Sequence, residues 1–422
     1  MKQKTTILFT VLDGAAGREN PELNGKTALE AAKTPALDRI AKNGETGMMT
    51  VIPDTAPESD SAVLSLLGYD PEKYYTGRGP LEAIGAGMKY QDGELALRCN
   101  YATIKEEKEN LIDRRVARSL TKRETEELEK IINQEIELEN AEFRFKSTQQ
   151  HRAALVIKDK DEKTLSPRIT NTDPAYDRKG LISIAKEEYK PEIKECEAKE
   201  PEAKRSAELV NEFTEKAIKA LENTKINEKR EKEGKMKANA IITRDAGSKK
   251  PEVSTLEDQY GLKYSLLANM PLERGIAEIS GMKTVKINEE EDYEEWLKKT
   301  LEATEENDFV YIHLKGPDLP GHDGKPVKKK EKIEEIDQEY YSELLEQINL
   351  NNTIIIVTSD HSTPCTMETH TSDPVPIAIS HPALSGKAMK FNEKEAEKGT
   401  LKIPRATLLM PYLIRIYNGI QK

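Results

Sequence analysis

The chain has 422 residues, of which 36% are hydrophobic and 33% are charged, and its formal net charge is −11. The length suggests two or three domains, and no apolar run approaches the roughly 20 residues that a membrane-spanning helix needs. The negative charge disfavours nucleic-acid binding, because a polyanion would be repelled, and three widely separated cysteines indicate neither a disulfide framework nor a cysteine zinc site.

The first predicted element is a β-strand, Thr5–Leu12, which is short, continuous and rich in β-branched residues. It runs directly into Asp13-Gly14 without the small-residue cleavage site of a signal peptide. We therefore expect a cytoplasmic protein with no membrane partner, and the sequence leaves a homo-oligomer open. A helix is predicted next, over Pro35–Asn43, because Thr34 suits the N-cap and Pro35 suits the first helical position.

A turn at Pro57-Glu58 then leads into a short apolar helix that starts near Ser59. At a helix N-terminus the backbone N–H groups and the helix dipole favour a phosphate. A hydroxyl there, close to a metal ion, is a candidate nucleophile. Ser61 and Ser65 are rival candidates, and a plain N-cap serine is the alternative interpretation of Ser59.

The middle of the chain combines predicted strands with charged helices. The strands are Glu94–Ile104, Ala141–Phe145, Arg152–Ile157 and Ala240–Arg244. Arginines accompany them, and arginine matches carboxylate and phosphate oxygens with two parallel hydrogen bonds. Surface ion pairs, or a simple turn at Asp173-Pro174, are the alternatives. The candidate substrate-binding residues here are Arg114, Arg115, His151, Arg152, Asp173 and Arg244.

Three more buried strands of the parallel type are predicted near the end of the chain: Phe309–Leu314, Thr353–Thr358 and Val375–Ser380. A helix is predicted over Glu331–Ile348, and the basic run Lys328–Lys330 is expected to be its solvated start. Strands that alternate with helices indicate an α/β fold with a mostly parallel sheet sandwiched by helices. The first strand joins this sheet only if the middle is an insertion. We therefore predict a core domain of residues 1–89 and 286–422, with an α+β domain, 90–285, inserted in it.

Polar residues follow three of these strands where each strand ends. Because ligands of open α/β sheets bind at the carboxyl ends of the strands, we expect these side chains to meet. Carboxylates and imidazoles together suit Mn²⁺, Co²⁺, Zn²⁺ or Mg²⁺, and their number suggests two ions that promote phosphoryl transfer. The candidate ligands are Asp13, Ser59, Asp318, His322, Asp360, His361 and His370, and Lys315 follows the same strand as Asp318.

Several segments together resemble the archaeal-type cofactor-independent phosphoglycerate mutases, a branch of the alkaline phosphatase superfamily. The resembling segments are Lys26–Pro35, Ser65–Pro71, Tyr75–Glu82, Asp113–Arg115, Thr172–Pro174, Lys315–Gly324 and Ser359–Pro364. The resemblance covers nearly the whole chain and implies an alkaline-phosphatase-like core. It also implies an inserted domain that holds the glycerate carboxylate and closes over the substrate.

The resemblance further implies a division of the ligands and a reaction. One ion would be bound by Asp318, His322 and His370, and the other by Asp13, Ser59, Asp360 and His361. Ser59 would take the phosphoryl group from 3-phosphoglycerate and return it to the 2-hydroxyl, without 2,3-bisphosphoglycerate. We expect Lys315 and Arg244 to assist this catalysis and to bind the substrate.

Three short stretches depart from the family pattern. The family usually has Gly-Ser-Asp-Val-Ala around the nucleophile, and here Glu58 replaces the glycine and Ser61 the valine. Asp245 replaces the first glycine of the usual Arg-Gly-Ala-Gly. The usual Asp-Arg-Pro after the first Asp-Gly is missing, and Gly17–Asn20 appears instead. These departures leave room for an alternative, a metal-dependent phosphohydrolase or phosphotransferase acting on another small hydroxylated metabolite. A non-enzymatic metal-binding protein is disfavoured, because the complete set of candidate ligands is present together with Ser59.

Overall fold

A computed structural model describes residues 4–105, 110–186, 188–288 and 292–421. Its strands are β1 (Thr6–Leu12), β2 (Gly44–Met49), β3 (Leu95–Ile104), β4 (Leu111–Asp113), β5 (Ala141–Ser147), β6 (Arg152–Asp159), β7 (Tyr176–Lys179), β8 (Ile182–Ala185), β9 (Ala240–Gly247), β10 (Tyr264–Ala268), β11 (Lys283–Lys286), β12 (Phe309–Leu314), β13 (Thr353–Thr358) and β14 (Val375–Ser380).

The α-helices are α1 (Ala28–Ala31), α2 (Pro35–Lys42), α3 (Ser59–Leu66), α4 (Pro71–Tyr74), α5 (Arg78–Gly85), α6 (Lys122–Glu135), α7 (Lys204–Glu222), α8 (Lys225–Lys232), α9 (Leu256–Tyr260), α10 (Pro271–Ser280), α11 (Tyr293–Glu306), α12 (Asp318–His322), α13 (Pro326–Ile336), α14 (Ser342–Gln347), α15 (Glu393–Glu397) and α16 (Leu409–Gln421). A π-helical segment, Asp337–Tyr341, joins α13 to α14. None of the helices within the described residues combines the length and the apolarity needed to cross a membrane.

The chain divides into two compact units. Unit 1 comprises the described parts of Met1–Tyr75, Glu252–Asn269 and Ile276–Lys422, and unit 2 those of Thr76–Pro251 and Met270–Gly275. The predicted insertion, 90–285, differs from unit 2 at both ends. Helix α5 belongs to unit 2, whereas β10 and β11 belong to unit 1 because they hydrogen-bond in parallel into the sheet that contains β12.

Unit 1 is built on a seven-stranded sheet with the order β11-β10-β12-β1-β13-β14-β2. Strand β1 is buried at every position, and it pairs in parallel with β12 on one side and β13 on the other. The predicted α/β fold with a mostly parallel sheet is therefore confirmed. The parallel direction predicted for Val375–Ser380 is wrong, because β14 pairs antiparallel with both β13 and β2.

Helices of unit 1 pack on this sheet through large apolar side chains. Trp296 of α11 and Tyr340 of the π-helical segment are fully buried and share one core with Leu8 of β1. Helix α2 forms as predicted, but Thr34 makes no capping hydrogen bond. A residue remote in the sequence caps its N-terminus instead. The Asp337 carboxylate accepts hydrogen bonds from the backbone N–H groups of Ala36 and Leu37.

Unit 2 is an α+β fold. Strands β4, β3, β6 and β5 form an antiparallel sheet, which β9 extends by pairing with β3. Strands β7 and β8 form a separate antiparallel pair. Leu128 and Ile132 of α6 and Phe213 of α7 pack in the core of this unit with Leu155 of β6. The four strands predicted from the middle of the chain are thus confirmed as β3, β5, β6 and β9.

Candidate functional site

The carboxyl ends of β1, β12 and β13 lie level with one another in unit 1. Leu12 pairs with Leu314, and Val11 pairs with Thr358. The next residues of each strand therefore emerge at the same edge of the sheet. Because β14 runs antiparallel, the loop of residues 359–374 begins and ends at this edge. That loop carries Asp360, His361 and His370.

A first group of possible metal-binding atoms belongs to Asp318, His361 and His370, whose ligand atoms lie within 4.8 Å of one another. His370 Nε2 is 3.4 Å from Asp318 Oδ1, and His322 Nε2 is 3.5 Å from Asp318 Oδ2. The Nε2 atoms of His322 and His370 are 3.1 Å apart. Two imidazole nitrogens and a carboxylate thus converge on one place.

Backbone contacts orient these imidazoles. His370 Nδ1 donates a hydrogen bond to the Pro57 carbonyl at 2.8 Å, and His322 Nδ1 donates to the Glu368 carbonyl at 2.9 Å. A carbonyl oxygen only accepts hydrogen bonds, so each ring carries its proton on Nδ1 and presents Nε2 to the cluster. Contacts of this kind fix the tautomer of histidines that bind metals.

A second group joins Asp13, His313 and Asp360, all buried, whose ligand atoms also lie within 4.8 Å of one another. His361 Nε2 lies 3.3 Å from Asp13 Oδ1 and 3.2 Å from Asp360 Oδ2, so His361 borders both groups. Asp13 Oδ1 and Asp360 Oδ2 are buried and accept no hydrogen bond from the described part of the chain. Two buried, unsatisfied carboxylate oxygens and an imidazole fit a divalent cation.

The carboxylates of this centre stay ionised although they are buried. Burial alone would raise the pKa of Asp13, but the Lys315 ammonium, 2.9 Å from Oδ2, and the neighbouring imidazoles hold that pKa well below its ordinary value. Burial also opposes ionisation of Asp360, yet the adjacent His361 keeps the pKa of Asp360 low. Both carboxylates are therefore held in the ionised form that binding of a cation requires.

Of the three candidate serines, only Ser59 faces these groups. Ser59 is the first residue of α3, and its Oγ lies 3.5 Å from His361 Nε2. The Ser61 hydroxyl instead donates to the Glu58 carbonyl at 3.1 Å, and the buried Ser65 hydroxyl donates to the Val51 carbonyl at 2.8 Å. The geometry therefore singles out Ser59 as the nucleophile candidate.

His313 is a site residue that the sequence analysis missed. It is fully buried in β12, and its Nε2 lies 3.3 Å from Lys315 Nζ and 3.5 Å from Asp360 Oδ2. Its signal in the sequence was a histidine inside an otherwise apolar strand, two residues before Lys315.

Unit 2 contains a separate cluster of the predicted residues. Arg114 donates two hydrogen bonds to the Asp173 carboxylate, at 2.6 and 2.7 Å. Arg244 Nη1 lies 3.7 Å from Asp173 Oδ2, and the Arg244 guanidinium stacks over the Tyr176 ring at 4.0 Å. The structure thus brings Arg114, Asp173 and Arg244 together. With Arg115, Arg114 also lines a cavity of about 240 Å³.

His151 and Arg152 lie at the start of β6 in the same unit. Burial, and then the nearby guanidiniums of Arg152 and Arg115, lower the pKa of His151 to about 2, so this imidazole is neutral. The Arg152 guanidinium contacts the Met270 sulfur at 3.8 Å. His151 thus borders the positive charges of unit 2 without adding to them.

A further arginine, Arg98, borders this cluster. It stands opposite Arg244 in the β3–β9 pairing, and the Asp245 carboxylate lies 3.9 Å from Arg98 Nη1 and 3.5 Å from Arg244 Nε. The Nε atoms of both arginines and Nη1 of Arg244 are buried and donate no hydrogen bond within the described residues. Asp245 has a φ of +59°, a left-handed conformation that favours glycine. Unit 2 thus holds buried, partly unsatisfied positive charge suited to an anion.

Comparison with known proteins gives a consistent result. A family model described as 2,3-bisphosphoglycerate-independent phosphoglycerate mutase matches residues 41–227. A curated protein of that name from Aeropyrum pernix is 43% identical over 94% of this chain and 95% of its own length. Another, from Methanopyrus kandleri, is 39% identical over 94% of this chain and 92% of its own.

Two solved structures resemble this chain over nearly its whole length. A protein from Pyrococcus horikoshii is 30% identical with a TM-score of 0.77, over 98% of both chains. The cofactor-independent phosphoglycerate mutase from Thermoplasma acidophilum is 29% identical with a TM-score of 0.63, over 98% of this chain and 100% of its own. With 43% identity along nearly the whole of both sequences, this chain belongs to the 2,3-bisphosphoglycerate-independent phosphoglycerate mutases.

Proposed function

We propose that this protein interconverts 3-phosphoglycerate and 2-phosphoglycerate through a phosphoserine at Ser59, without 2,3-bisphosphoglycerate. The observation that carries the proposal is the position of Ser59, at the N-terminus of α3 and 3.5 Å from the imidazole that borders both groups of possible ligands. The names of the relatives support the substrate and the independence from a bisphosphate.

We further propose that Asp318, His322 and His370 hold one divalent ion, and that Asp13, Ser59, Asp360 and His361 hold the other. The unsatisfied oxygens of Asp13 and Asp360 and the backbone-oriented rings of His322 and His370 support this division. When bound, Mn²⁺, Co²⁺, Zn²⁺ or Mg²⁺ would lower the pKa of the serine hydroxyl and stabilise the attacking and leaving oxygens.

The chain's own residues would then act in two displacements. The Ser59 hydroxyl loses its proton and its oxygen attacks phosphorus as the bond between phosphorus and the 3-oxygen of the substrate breaks, and the released 3-oxygen takes up a proton. The 2-hydroxyl then loses its proton and attacks the same phosphorus as the bond between phosphorus and Ser59 Oγ breaks, and Ser59 Oγ regains a proton. The N–H groups at the start of α3 and the Lys315 ammonium offset the charge on the phosphoryl oxygens.

The arginine cluster of unit 2 is proposed to bind the phosphate and carboxylate of phosphoglycerate. Arg244 and Arg114 supply planar donors, and Asp173 holds both guanidiniums in position through the contacts given above. Arg115, His151 and Arg152 complete the proposed set. The neutral state of His151 leaves its imidazole able to accept or donate a hydrogen bond without adding charge.

An enolase-coupled assay tests this function. With 3-phosphoglycerate and Mn²⁺ but no 2,3-bisphosphoglycerate, we expect phosphoenolpyruvate to form, and a chelator to abolish its formation. The same samples are assayed for free phosphate. Phosphate release without 2-phosphoglycerate would identify a phosphohydrolase and overturn the mutase proposal.

Replacement of His313 by phenylalanine keeps a ring in β12 but removes both nitrogens. Because His313 Nε2 faces Asp360 and Lys315, we expect the affinity for Mn²⁺ to fall roughly 10- to 100-fold, the usual effect of losing a residue that orients ligands. Isothermal titration calorimetry measures this change. His381→Phe is the matched control, because His381 bonds to the Asn351 carbonyl outside both groups. Equal Mn²⁺ affinities for the two variants would contradict the prediction.

Replacement of Asp245 by glycine restores the residue usual in the family and removes strain at a positive φ. It also removes the carboxylate that competes for Arg98 and Arg244. We expect KM for 3-phosphoglycerate to fall about 3- to 10-fold, because charge-assisted bonds to the substrate replace the internal one. Asp177→Gly, at a surface ion pair with Lys186, is the control. A higher KM for Asp245→Gly would show that the carboxylate organises the arginines instead.

A further inference from the structure

Lys329 is buried, although it lies in a basic run predicted to be solvated. Its neighbours are more accessible, since Lys328 is exposed and Lys330 is partly exposed and forms an ion pair with Glu334 at 2.9 Å. Lys329 itself is only 1% exposed. It lies on α13, which begins with Pro326 in its first turn. The prediction was therefore wrong at this one position of the run.

The Lys329 ammonium joins two loops of unit 1. Its Nζ donates hydrogen bonds to the carbonyl oxygens of Ala16, at 2.9 Å, and Thr363, at 2.7 Å. Ala16 lies three residues after Asp13, and Thr363 lies two residues after His361. The Thr363 N–H also donates to the Ala16 carbonyl, at 3.0 Å. The ammonium thus sits where the loop after β1 meets the loop after β13.

Thr363 extends this connection to two of the proposed ligands. Its hydroxyl donates to Asp318 Oδ1 at 2.8 Å, and a carboxylate can only accept that hydrogen bond. The same hydroxyl therefore accepts from His361 Nδ1, at 3.0 Å. A shift of the Thr363 backbone would move its hydroxyl, which is the hydrogen-bond partner of both Asp318 and His361.

Glu393 holds the other side of the first loop. Its carboxylate accepts from the Gly17 N–H at 3.0 Å and from the Thr27 hydroxyl at 2.7 Å. The loop after β1 is therefore held between a buried ammonium and a buried carboxylate. Removing such charges from water costs free energy that their hydrogen bonds offset only in part, and an apolar side chain would fill the same volume at lower cost. This unfavourable free energy indicates that Lys329 has a role other than packing.

We propose that Lys329 is a positioning residue for the metal centre, which sets the separation between the loops that carry Asp13 and His361. The inference rests on the proposed function, because it takes these residues as ligands. Lys329 acts through Ala16 and Thr363 and does not itself touch an ion or the substrate.

Lys329→Met tests the proposal, because methionine matches the apolar stem of lysine but donates no hydrogen bond. Lys330→Met, one residue along the same helix, is the control. Calorimetry with Mn²⁺ and the visible absorption spectrum of the Co²⁺-loaded protein report the centre directly. We expect Lys329→Met to weaken Mn²⁺ binding about 10- to 100-fold and to alter the Co²⁺ spectrum, whereas Lys330→Met leaves both unchanged.

A purely structural role predicts a different outcome. It would lower the melting temperature of the metal-free protein but leave the Mn²⁺ affinity and the Co²⁺ spectrum at wild-type values, which would overturn the proposal. If Lys329→Met does not fold, Lys329→Gln replaces it. Its shorter side chain cannot reach both carbonyls, so a smaller loss of affinity is expected, and wild-type affinity would again overturn the proposal. Failure of the wild-type protein to bind Mn²⁺ would instead refute the proposed metal centre.

Discussion

Ser59→Ala is expected to lower the kcat of the mutase reaction by at least about 10⁴-fold, because it removes the atom that we propose accepts the phosphoryl group. Ser59 stands at the start of α3 beside His361. The rival candidates, Ser61 and Ser65, instead bond to backbone carbonyls. The variant should also yield no phosphoprotein when it is mixed with 3-phosphoglycerate and quenched in acid. The coupled assay and intact-protein mass spectrometry measure the two effects.

Ser61→Ala is the matched control for this experiment. It removes the same hydroxyl two residues away, where the group only donates to the Glu58 carbonyl. We expect it to keep kcat within about 10-fold of the wild type. The loss of one hydrogen bond at the start of the helix should lower the free energy of unfolding by only roughly 1 kcal/mol. Loss of phosphoprotein in Ser61→Ala, or its persistence in Ser59→Ala, would move the nucleophile to another residue.

Asp360→Asn is expected to have the second largest effect, a loss of activity of about 10³-fold or more at ordinary Mn²⁺ concentrations. Oδ1 of Asp360 accepts hydrogen bonds from the N–H groups of Gly14 and His361, whereas Oδ2 is buried without one. An amide that keeps the first role must turn its NH₂ group toward the position of Oδ2. It then presents donors, and no negative charge, to a cation.

The measurements for Asp360→Asn are the metal content after gel filtration and the Mn²⁺ affinity by calorimetry. Asp373→Asn makes the same chemical change in the same loop, where Asp373 is paired with Arg18 at 2.7 Å. This control should retain both metals and most of the activity, because the ion pair is partly exposed and contributes little. Equal metal content in the two variants would contradict the role of Asp360.

Strand-end reasoning predicted much of the candidate site from the sequence. Asp13, Asp318 and Asp360 follow buried strands, and parallel pairing of those strands brings their side chains to one edge. The sequence alone could not show how the possible ligands divide into two groups. His361 borders both groups in the structure, and that position depends on the turn of residues 359–363 and on the hydroxyl of Thr363.

Other features were missed because their sequence signals coincide with ordinary ones. His313 lies in a buried strand, where alternation does not mark one face, so the sequence pattern does not distinguish it from the core residues beside it. The direction of β14 is not encoded in its composition, since a strand that is buried on both faces has the same residues in either direction. Lys329 stands in a basic run that usually signals a solvated helix, and only its burial identifies its role.

The antiparallel return of β14 has a consequence for how the site assembles as the chain folds. Asp360, His361 and His370 lie in one loop whose two ends are held by neighbouring strands, so these groups come together as soon as β13 and β14 pair. Asp13 arrives only with β1, and the bond between Gly14 and Asp360 joins residues that are 346 apart in the sequence. Closing so long a loop is a late and slow event in folding. The three groups of this loop are therefore local and come together early, and the proposed metal centre is complete only once β1 has entered the sheet.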